Sequence, residues 1–159
     1  MEVIMIAAMA QNRVIGNKND IPWRIKEDFQ HFQQHTIGHP IIMGRNTFKS
    51  LPGHLKDREY IILTRFPISG YTCFESIKEA LDYCHIKNYN KAFLIGGAKV
   101  YEEGLKHSDT ILLTEIEKPF KGDTYFPEIP KTDWKLTEIV REYSEENDFN
   151  YSFNTYIKK

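Results

Sequence analysis

Three short segments that could bind an anion each lie at the end of an apolar run of strand length. They are Gly96-Gly97 after the run 92–95, Gly44-Arg45-Asn46-Thr47 after the run 40–43, and Thr64-Arg65 at the end of the run 60–64. Glycine lets a phosphate approach the backbone closely, and arginine adds a planar charged fork. The sequence has neither GxGxxG nor a GK[ST] phosphate loop. Together the segments indicate a long ligand with separated phosphates, such as a dinucleotide carrying an extra ribose phosphate.

Asp28 is an acid beside an apolar helix face. Ile25, Phe29 and Phe32 recur at the spacing of one helical face, which predicts a helix from about 25 to 36. A carboxylate against such a face is costly unless it finds hydrogen-bond donors, and a flat heterocycle with adjacent N–H groups would supply two. The plainer interpretation is a favourable acid near a helix N-terminus. The residues alone leave both interpretations open.

Other reactive side chains give weaker signals. His31 and His35 have the i, i+4 spacing of zinc ligands, but HExxH is absent and no third ligand is evident. We interpret both as surface residues and expect no metal. Cys73 and Cys84 do not form a CxxC pair, so we expect two packing residues rather than a disulfide.

Charge and composition exclude several functional classes. The 159 residues include 21 basic and 22 acidic side chains and give a net charge of -1, without the basic stripe that nucleic-acid binding needs. The N-terminal apolar run ends at Gln11 and lacks a positive leader. We therefore expect one cytoplasmic domain over residues 1–159, with no nucleic-acid or membrane partner.

The elements that must position these residues alternate between strands and helices. Strands are predicted at 3–9, 40–43, 60–64, 92–95 and 110–117, with a terminal hairpin of 135–143 and 151–157. Helices are predicted at 25–36, 45–50, 98–105 and from a capping box at Ser76 and Glu79 to about 84. A long loop spans 11–23. This order predicts a doubly wound α/β sheet that binds ligands at the carboxyl ends of its strands.

In this order and spacing the segments resemble the dihydrofolate reductase family over nearly the whole chain, and bacterial chromosomal enzymes most of all. The segments that carry the resemblance are Ile6-Ala7-Ala8, Arg13-Val14-Ile15-Gly16, Pro22-Trp23 with Asp28, Ile42-Met43-Gly44-Arg45 with Thr47, Ile61-Ile62-Leu63-Thr64-Arg65, Ile95-Gly96-Gly97 with Val100-Tyr101, and Gly122-Asp123-Thr124-Tyr125-Phe126-Pro127. The family fold implied is a doubly wound, mostly parallel eight-stranded sheet with an antiparallel C-terminal hairpin strand and about four flanking helices.

The resemblance implies an NADPH-dependent oxidoreductase that reduces 7,8-dihydrofolate to 5,6,7,8-tetrahydrofolate. A hydride would pass from nicotinamide C4 to pterin C6, and water would protonate N5. The product would serve one-carbon metabolism and the synthesis of thymidylate, purines and amino acids. The family is mostly monomeric, and antifolates of the trimethoprim and methotrexate classes are expected inhibitors.

The resemblance also assigns roles to residues on the substrate side. Asp28 would anchor the pterin, with Thr114 assisting, and Trp23 and Ile21 would lie on a mobile loop that contacts the loop of Asp123. Arg58 would pair with the α-carboxylate of the glutamate tail. The folate pocket would be lined by Ile6, Ala8, Phe29, Phe32 and Leu51.

On the cofactor side, the resemblance implies a cis bond between Gly96 and Gly97 and a 2′-phosphate contact at Arg65. The cofactor-binding residues would be Ala8, Ile15, Gly44, Arg45, Asn46, Thr47, Thr64, Arg65, Ile95, Gly96, Gly97, Ala98, Lys99, Val100, Tyr101 and Thr124.

The chain departs from the family pattern at a few positions, and two other functions stay open. Phe29 replaces a frequent Leu, Phe48 a frequent Trp, and Pro52-Gly53-His54 lacks a frequent basic residue. One alternative is a related reductase acting on a pyrimidine riboside precursor of riboflavin, against which Asp28 and Arg58 argue. The other is an RNA-binding or regulatory protein, against which the missing basic stripe argues.

Overall fold

The computed structural model describes residues 1–51 and 53–159, so Pro52, one of the departures from the family pattern, lies outside the described residues. The elements in chain order are β1 (Glu2–Ala10), β2 (Val14–Gly16), α1 (Lys26–Thr36), β3 (Ile41–Gly44), α2 (Arg45–Ser50), β4 (Tyr60–Leu63), β5 (Thr72–Phe74), α3 (Ile77–Ile86), β6 (Lys91–Leu94), α4 (Ala98–Gly104), β7 (Thr110–Ile116), β8 (Thr124–Tyr125), β9 (Trp134–Ser144) and β10 (Phe149–Lys158).

Eight of these strands form one sheet in the order β5-β4-β3-β6-β1-β7-β10-β9. Neighbouring strands from β5 across to β7 are parallel, and β10 is antiparallel to both β7 and β9. The expected fold class is therefore confirmed, including the antiparallel hairpin and the four helices. No helix in the described ranges is long and apolar enough to cross a membrane.

The central strands are apolar because both faces of the sheet are covered. Ile41 and Met43 pack in one layer with Ile4 and Phe93, whereas Ile42, the residue between them, packs in the opposite layer. Successive strand residues point to opposite faces, so a continuous apolar run marks a strand buried on both sides. This burial fixes the register of β3 between β4 and β6, and with it the positions of the residues that follow these strands.

Three short strands, β2, β5 and β8, were not predicted. β2 lies inside the expected loop 11–23 and pairs with β8, and β5 pairs with β4 at the edge of the sheet. Each has only two or three residues, so no apolar run of strand length marks any of them. The other boundaries differ from the predictions by one or two residues. The predicted N-cap at Ser76 is confirmed, since its Oγ accepts the Glu79 amide at 3.1 Å.

Candidate active site

The glycine junctions after β3 and β6 lie side by side. The Gly44 amide donates to the carbonyl of Gly96 at 2.9 Å, and the Gly96-Gly97 bond is cis, as the resemblance implied. A Cβ on Gly97 would stand 3.5 Å from the hydroxyl of Thr47. Gly96 has a φ of 120°, in the region that favours glycine. The two turns thus form one groove of exposed backbone at the carboxyl edge of the sheet.

Tyr101 closes the floor beneath this groove. A Cβ placed on Gly96 would be 3.2 Å from the hydroxyl oxygen of Tyr101 and 3.3 Å from its ring carbons, so only glycine fits over it without displacement. The phenol is buried and donates to the carbonyl of Ile6 at 2.8 Å. Burial raises the pKa of Tyr101, and the charge of Asp28 acts in the same direction. The phenol therefore stays protonated and holds β1 to α4.

Two guanidinium groups lie along the same edge. Arg45 donates to the carbonyl of Phe66 at 3.2 Å and to the Thr64 hydroxyl at 3.5 Å. Arg65 is exposed between Thr64 and Phe66. The ends of β3 and β4 thus present two cations beside the glycine groove, an arrangement that suits phosphate groups.

The remaining predicted cofactor residues surround this edge. Ile95 and Val100 are buried, Ala98 and Ile15 are half-buried, Asn46 and Lys99 are exposed, and Thr124 lies on β8 with its side chain near Gly16.

Asp28 lies across the sheet edge on the first turn of α1. The hydroxyl of Thr114 on β7 donates to its Oδ1 at 2.6 Å, and Thr114 pairs with Ala8 of β1. Burial raises the pKa of Asp28 from 3.8 to about 6, while the Thr114 hydrogen bond acts in the opposite direction. The carboxyl group therefore changes its charge close to neutral pH, as acid–base groups of enzymes do.

Apolar side chains flank Asp28. Phe29 is 40% exposed and stacks on Phe32 with the ring centres 6.2 Å apart. Phe32 and Leu51 are half-buried against the layer that contains Ile6. Phe29 and Phe32 follow Asp28 on α1, and together with Leu51 we call them the apolar wall. Phe29 packs less deeply than the helical pattern predicted, since its side chain is 40% exposed rather than buried in the core.

Arg58 is held at the other end of α1. Its guanidinium donates to the Thr36 hydroxyl at 2.8 Å and to the carbonyls of Gln33 at 2.8 Å and Lys56 at 2.5 Å. Of the five N–H groups of an arginine, these bonds leave one on each terminal nitrogen without a partner among the described residues. A guanidinium held in place with two donors still available suits a carboxylate.

A lid segment, residues 17–24, is fastened at both ends. The Lys18 amide donates to Asp123 at 3.0 Å, and the Asp123 amide donates to the Gly16 carbonyl at 3.0 Å. At the far end, the side-chain amide of Asn147 donates to the Arg24 carbonyl at 2.8 Å. The contact between the Asp123 loop and the predicted mobile loop is therefore present. Sequence reasoning missed Asn147, because nothing near position 147 signals a contact with residue 24.

Trp23 and Ile21, the two residues that were predicted on this loop, differ in exposure. Trp23 is buried and packs against Phe120 with ring centres 5.3 Å apart, whereas Ile21 is 56% exposed. Trp23 therefore anchors the segment. Elsewhere in the described chain, no group of three His, Cys, Asp or Glu side chains is arranged to hold a metal.

A doubly wound sheet with a glycine groove, two guanidiniums and a half-buried acid at one edge defines an α/β enzyme that binds a nucleotide-like ligand there. The family model described as dihydrofolate reductase matches residues 2–158. The dihydrofolate reductase of Bacillus subtilis (strain 168) is 38% identical over 161 residues, which cover 99% of this chain and 95% of that protein. That of Staphylococcus haemolyticus is 36% identical, with coverage of 98% and 95%.

A solved structure of the enzyme from Enterococcus faecalis, complexed with NADP(H) and RAB-propyl, has a TM-score of 0.88 and 28% identity. It covers 99% of this chain, which in turn spans 96% of that one. The chain belongs to the dihydrofolate reductase family. It is thus an oxidoreductase, and the family expected from the sequence is confirmed.

Proposed function

We propose that this chain reduces 7,8-dihydrofolate to tetrahydrofolate with NADPH. The observation that supports this most directly is the Asp28–Thr114 pair, a half-buried acid opposite a glycine groove at the carboxyl edge of the sheet. When bound, NADPH supplies the hydride that reduces C6 of the pterin. The chain itself supplies orientation, exclusion of water and a placed carboxyl group.

The cofactor would fit the groove because glycine residues leave the protein backbone there without side chains. Gly44 and Gly97 leave space that Cβ atoms would fill, and the Thr47 hydroxyl borders it. Arg45 and Arg65 would hold phosphates, with Arg65 nearer the 2′-phosphate. Within the described residues the Arg65 guanidinium makes no hydrogen bond, so its donors are available to a ligand.

Asp28 would bind the 2-amino group and N3 of the pterin through its two oxygens. Thr114 fixes the orientation of one oxygen by its short hydrogen bond. N5 would take its proton from water rather than directly from Asp28. The lid segment, anchored by Trp23 and with Ile21 exposed on it, would control that water.

The apolar wall would hold the rest of the substrate. Phe29, Phe32 and Leu51 would pack against the folate, and the two remaining N–H groups of Arg58 would bind the α-carboxylate of its glutamate tail. Antifolates of the trimethoprim and methotrexate classes would occupy the same site. The working form we propose is a single-domain cytoplasmic monomer whose product supplies one-carbon metabolism and the synthesis of thymidylate, purines and amino acids.

The direct test is oxidation of NADPH, followed by absorbance, with and without dihydrofolate. We expect rapid loss that depends on dihydrofolate and is much slower with NADH. A folded protein that leaves NADPH unchanged would contradict the proposal. A pyrimidine riboside precursor of riboflavin, assayed in parallel, distinguishes the related reductase reaction.

A further inference from the structure

Helix α1 carries the pterin-anchoring acid but is attached to the rest of the protein by few side chains. Within Lys26–Thr36 the only fully buried residue is Thr36. The first turn is held by the bond between Asp28 and Thr114. The last turns are held by Arg58, which donates to Gln33 and Thr36. A helix with so little buried surface depends on individual contacts for its position over the sheet.

His31 supplies a contact in the middle of this helix. Its ring stacks on Phe153 of β10, with ring centres 4.1 Å apart and planes 20° apart. Phe153 is the residue of β10 paired directly with Thr114 of β7. The stack therefore lies beside the Asp28–Thr114 hydrogen bond. His31 also follows Asp28 by one helical turn, which puts both side chains on one face of α1.

We propose that His31 is a positioning residue. Its stack on Phe153 holds the middle of α1 at the distance from the sheet at which Asp28 can contact both Thr114 and the pterin ring. This inference rests on the proposed function. His31 is also not the surface residue that the sequence predicted, since it is half-buried and its ring packs on β10.

The environment keeps this imidazole uncharged at neutral pH. Burial lowers the pKa of His31 to about 4, and the charge of His35 acts in the same direction. A neutral ring packs flat on Phe153 without placing a cation one turn from Asp28. Stacked aromatic pairs contribute about 0.5–1.5 kcal/mol beyond the area that they bury.

The test compares His31→Ala with His31→Phe, and His35→Ala is the matched control. His35 lies one turn further along α1 and touches His31 edge-on, with ring centres 4.5 Å apart. We expect His31→Ala to raise KM and Kd for dihydrofolate about two- to tenfold, the loss of one stacked pair. KM for NADPH should stay at the wild-type value. His31→Phe should restore dihydrofolate binding, and His35→Ala should resemble wild type.

Three results would overturn the inference: unchanged dihydrofolate binding in His31→Ala, an equal rise of KM for both substrates, or a His31→Phe variant as impaired as His31→Ala. If His31→Ala does not fold, His31→Asn replaces it, since it also removes the ring. A wild-type protein that neither binds nor reduces dihydrofolate overturns the proposed function as well. If the wild type is active and the His31 variants bind dihydrofolate as it does, only the role of His31 is overturned.

Discussion

The hydroxyl of Thr114 and Oδ1 of Asp28 are 2.6 Å apart, and this hydrogen bond joins the first turn of α1 to β7. The bond favours the ionised carboxyl group, whereas burial favours the neutral one and dominates. The balance places the pKa of Asp28 at about 6. The acid can therefore exchange a proton near neutral pH while it keeps one oxygen fixed.

Replacing Thr114 by Val should raise the pKa of Asp28 further. The substitution removes the donor that lowers this pKa and leaves the burial that raises it. The pH at which kcat/KM for dihydrofolate changes should move upward with it. An NMR titration of the Asp28 carboxyl group in Thr114→Val and in the control Thr114→Ser measures the shift directly. An unchanged pKa in the Val variant would show that the hydrogen bond has no influence on the acid.

Asp28→Asn should lose most turnover yet gain stability at neutral pH. The folded pKa of about 6 exceeds the usual value of 3.8, so ionisation of Asp28 opposes folding. The neutral acid contributes fully to the stability of the folded protein at low pH, and this contribution is lost as the pH rises through about 6. The cost above that pH is on the order of 3 kcal/mol.

Urea unfolding of Asp28→Asn and of wild type, at about pH 7.5 and about pH 3.5 in otherwise identical buffers, checks the sign of this difference in the free energy of unfolding. The variant should be the more stable protein at the higher pH, and the difference should shrink at the lower pH. A variant that is less stable than wild type at both pH values would mean that the carboxylate stabilises the fold. Full activity in this variant would remove Asp28 from the mechanism.

The sequence predicted the glycine groove well because its signals are local. Gly44 and Gly96 each follow an apolar run, and parallel strands buried on both faces bring such junctions to one edge. Contacts between distant segments left no such signal. Asn147 reaches Arg24, and the Glu59 carboxylate accepts hydrogen bonds from Thr72, Tyr83 and Tyr89. Such partners are fixed by the tertiary fold, so pattern and spacing cannot identify them.

Exposure at the site was equally hard to predict. The helical period placed Phe29 on the buried face of α1, but the ring is 40% exposed. A periodic pattern marks a face that is apolar without saying whether protein or ligand covers it. The same limit applies to His31, whose spacing to His35 suggested only a metal or a solvated surface.

Gly122→Ala should displace the lid segment. A Cβ at this position would stand 2.3 Å from Val14 Cγ1 and 2.5 Å from the Gly16 carbonyl oxygen, so one of these groups must shift. That carbonyl accepts the Asp123 amide, so the lid would lose a fastening contact. A misplacement of about 1 Å lowers rates by roughly 10- to 100-fold. Pre-steady-state measurement of hydride transfer gives the effect.

The control for this variant is Lys121→Ala, at an exposed neighbour in the same loop. It should transfer hydride at the wild-type rate. Equal rates in Gly122→Ala and wild type would mean that the docking of the lid at Gly16 does not limit catalysis.

Arg65→Ala should weaken the binding of NADPH and leave the binding of NADH unchanged. Arg45 already donates to Phe66 and Thr64, whereas Arg65 is exposed and, among the described residues, has no hydrogen-bond partner. A charge-assisted hydrogen bond contributes about 1.5–3 kcal/mol, so KM for NADPH should rise roughly 10- to 100-fold. Steady-state kinetics with both cofactors measure the change in preference. Arg141→Ala, at an exposed arginine of β9, is the control. Because only NADPH carries the 2′-phosphate, an equal loss with both cofactors would assign Arg65 to another part of the nucleotide and leave Arg45 as the residue that discriminates.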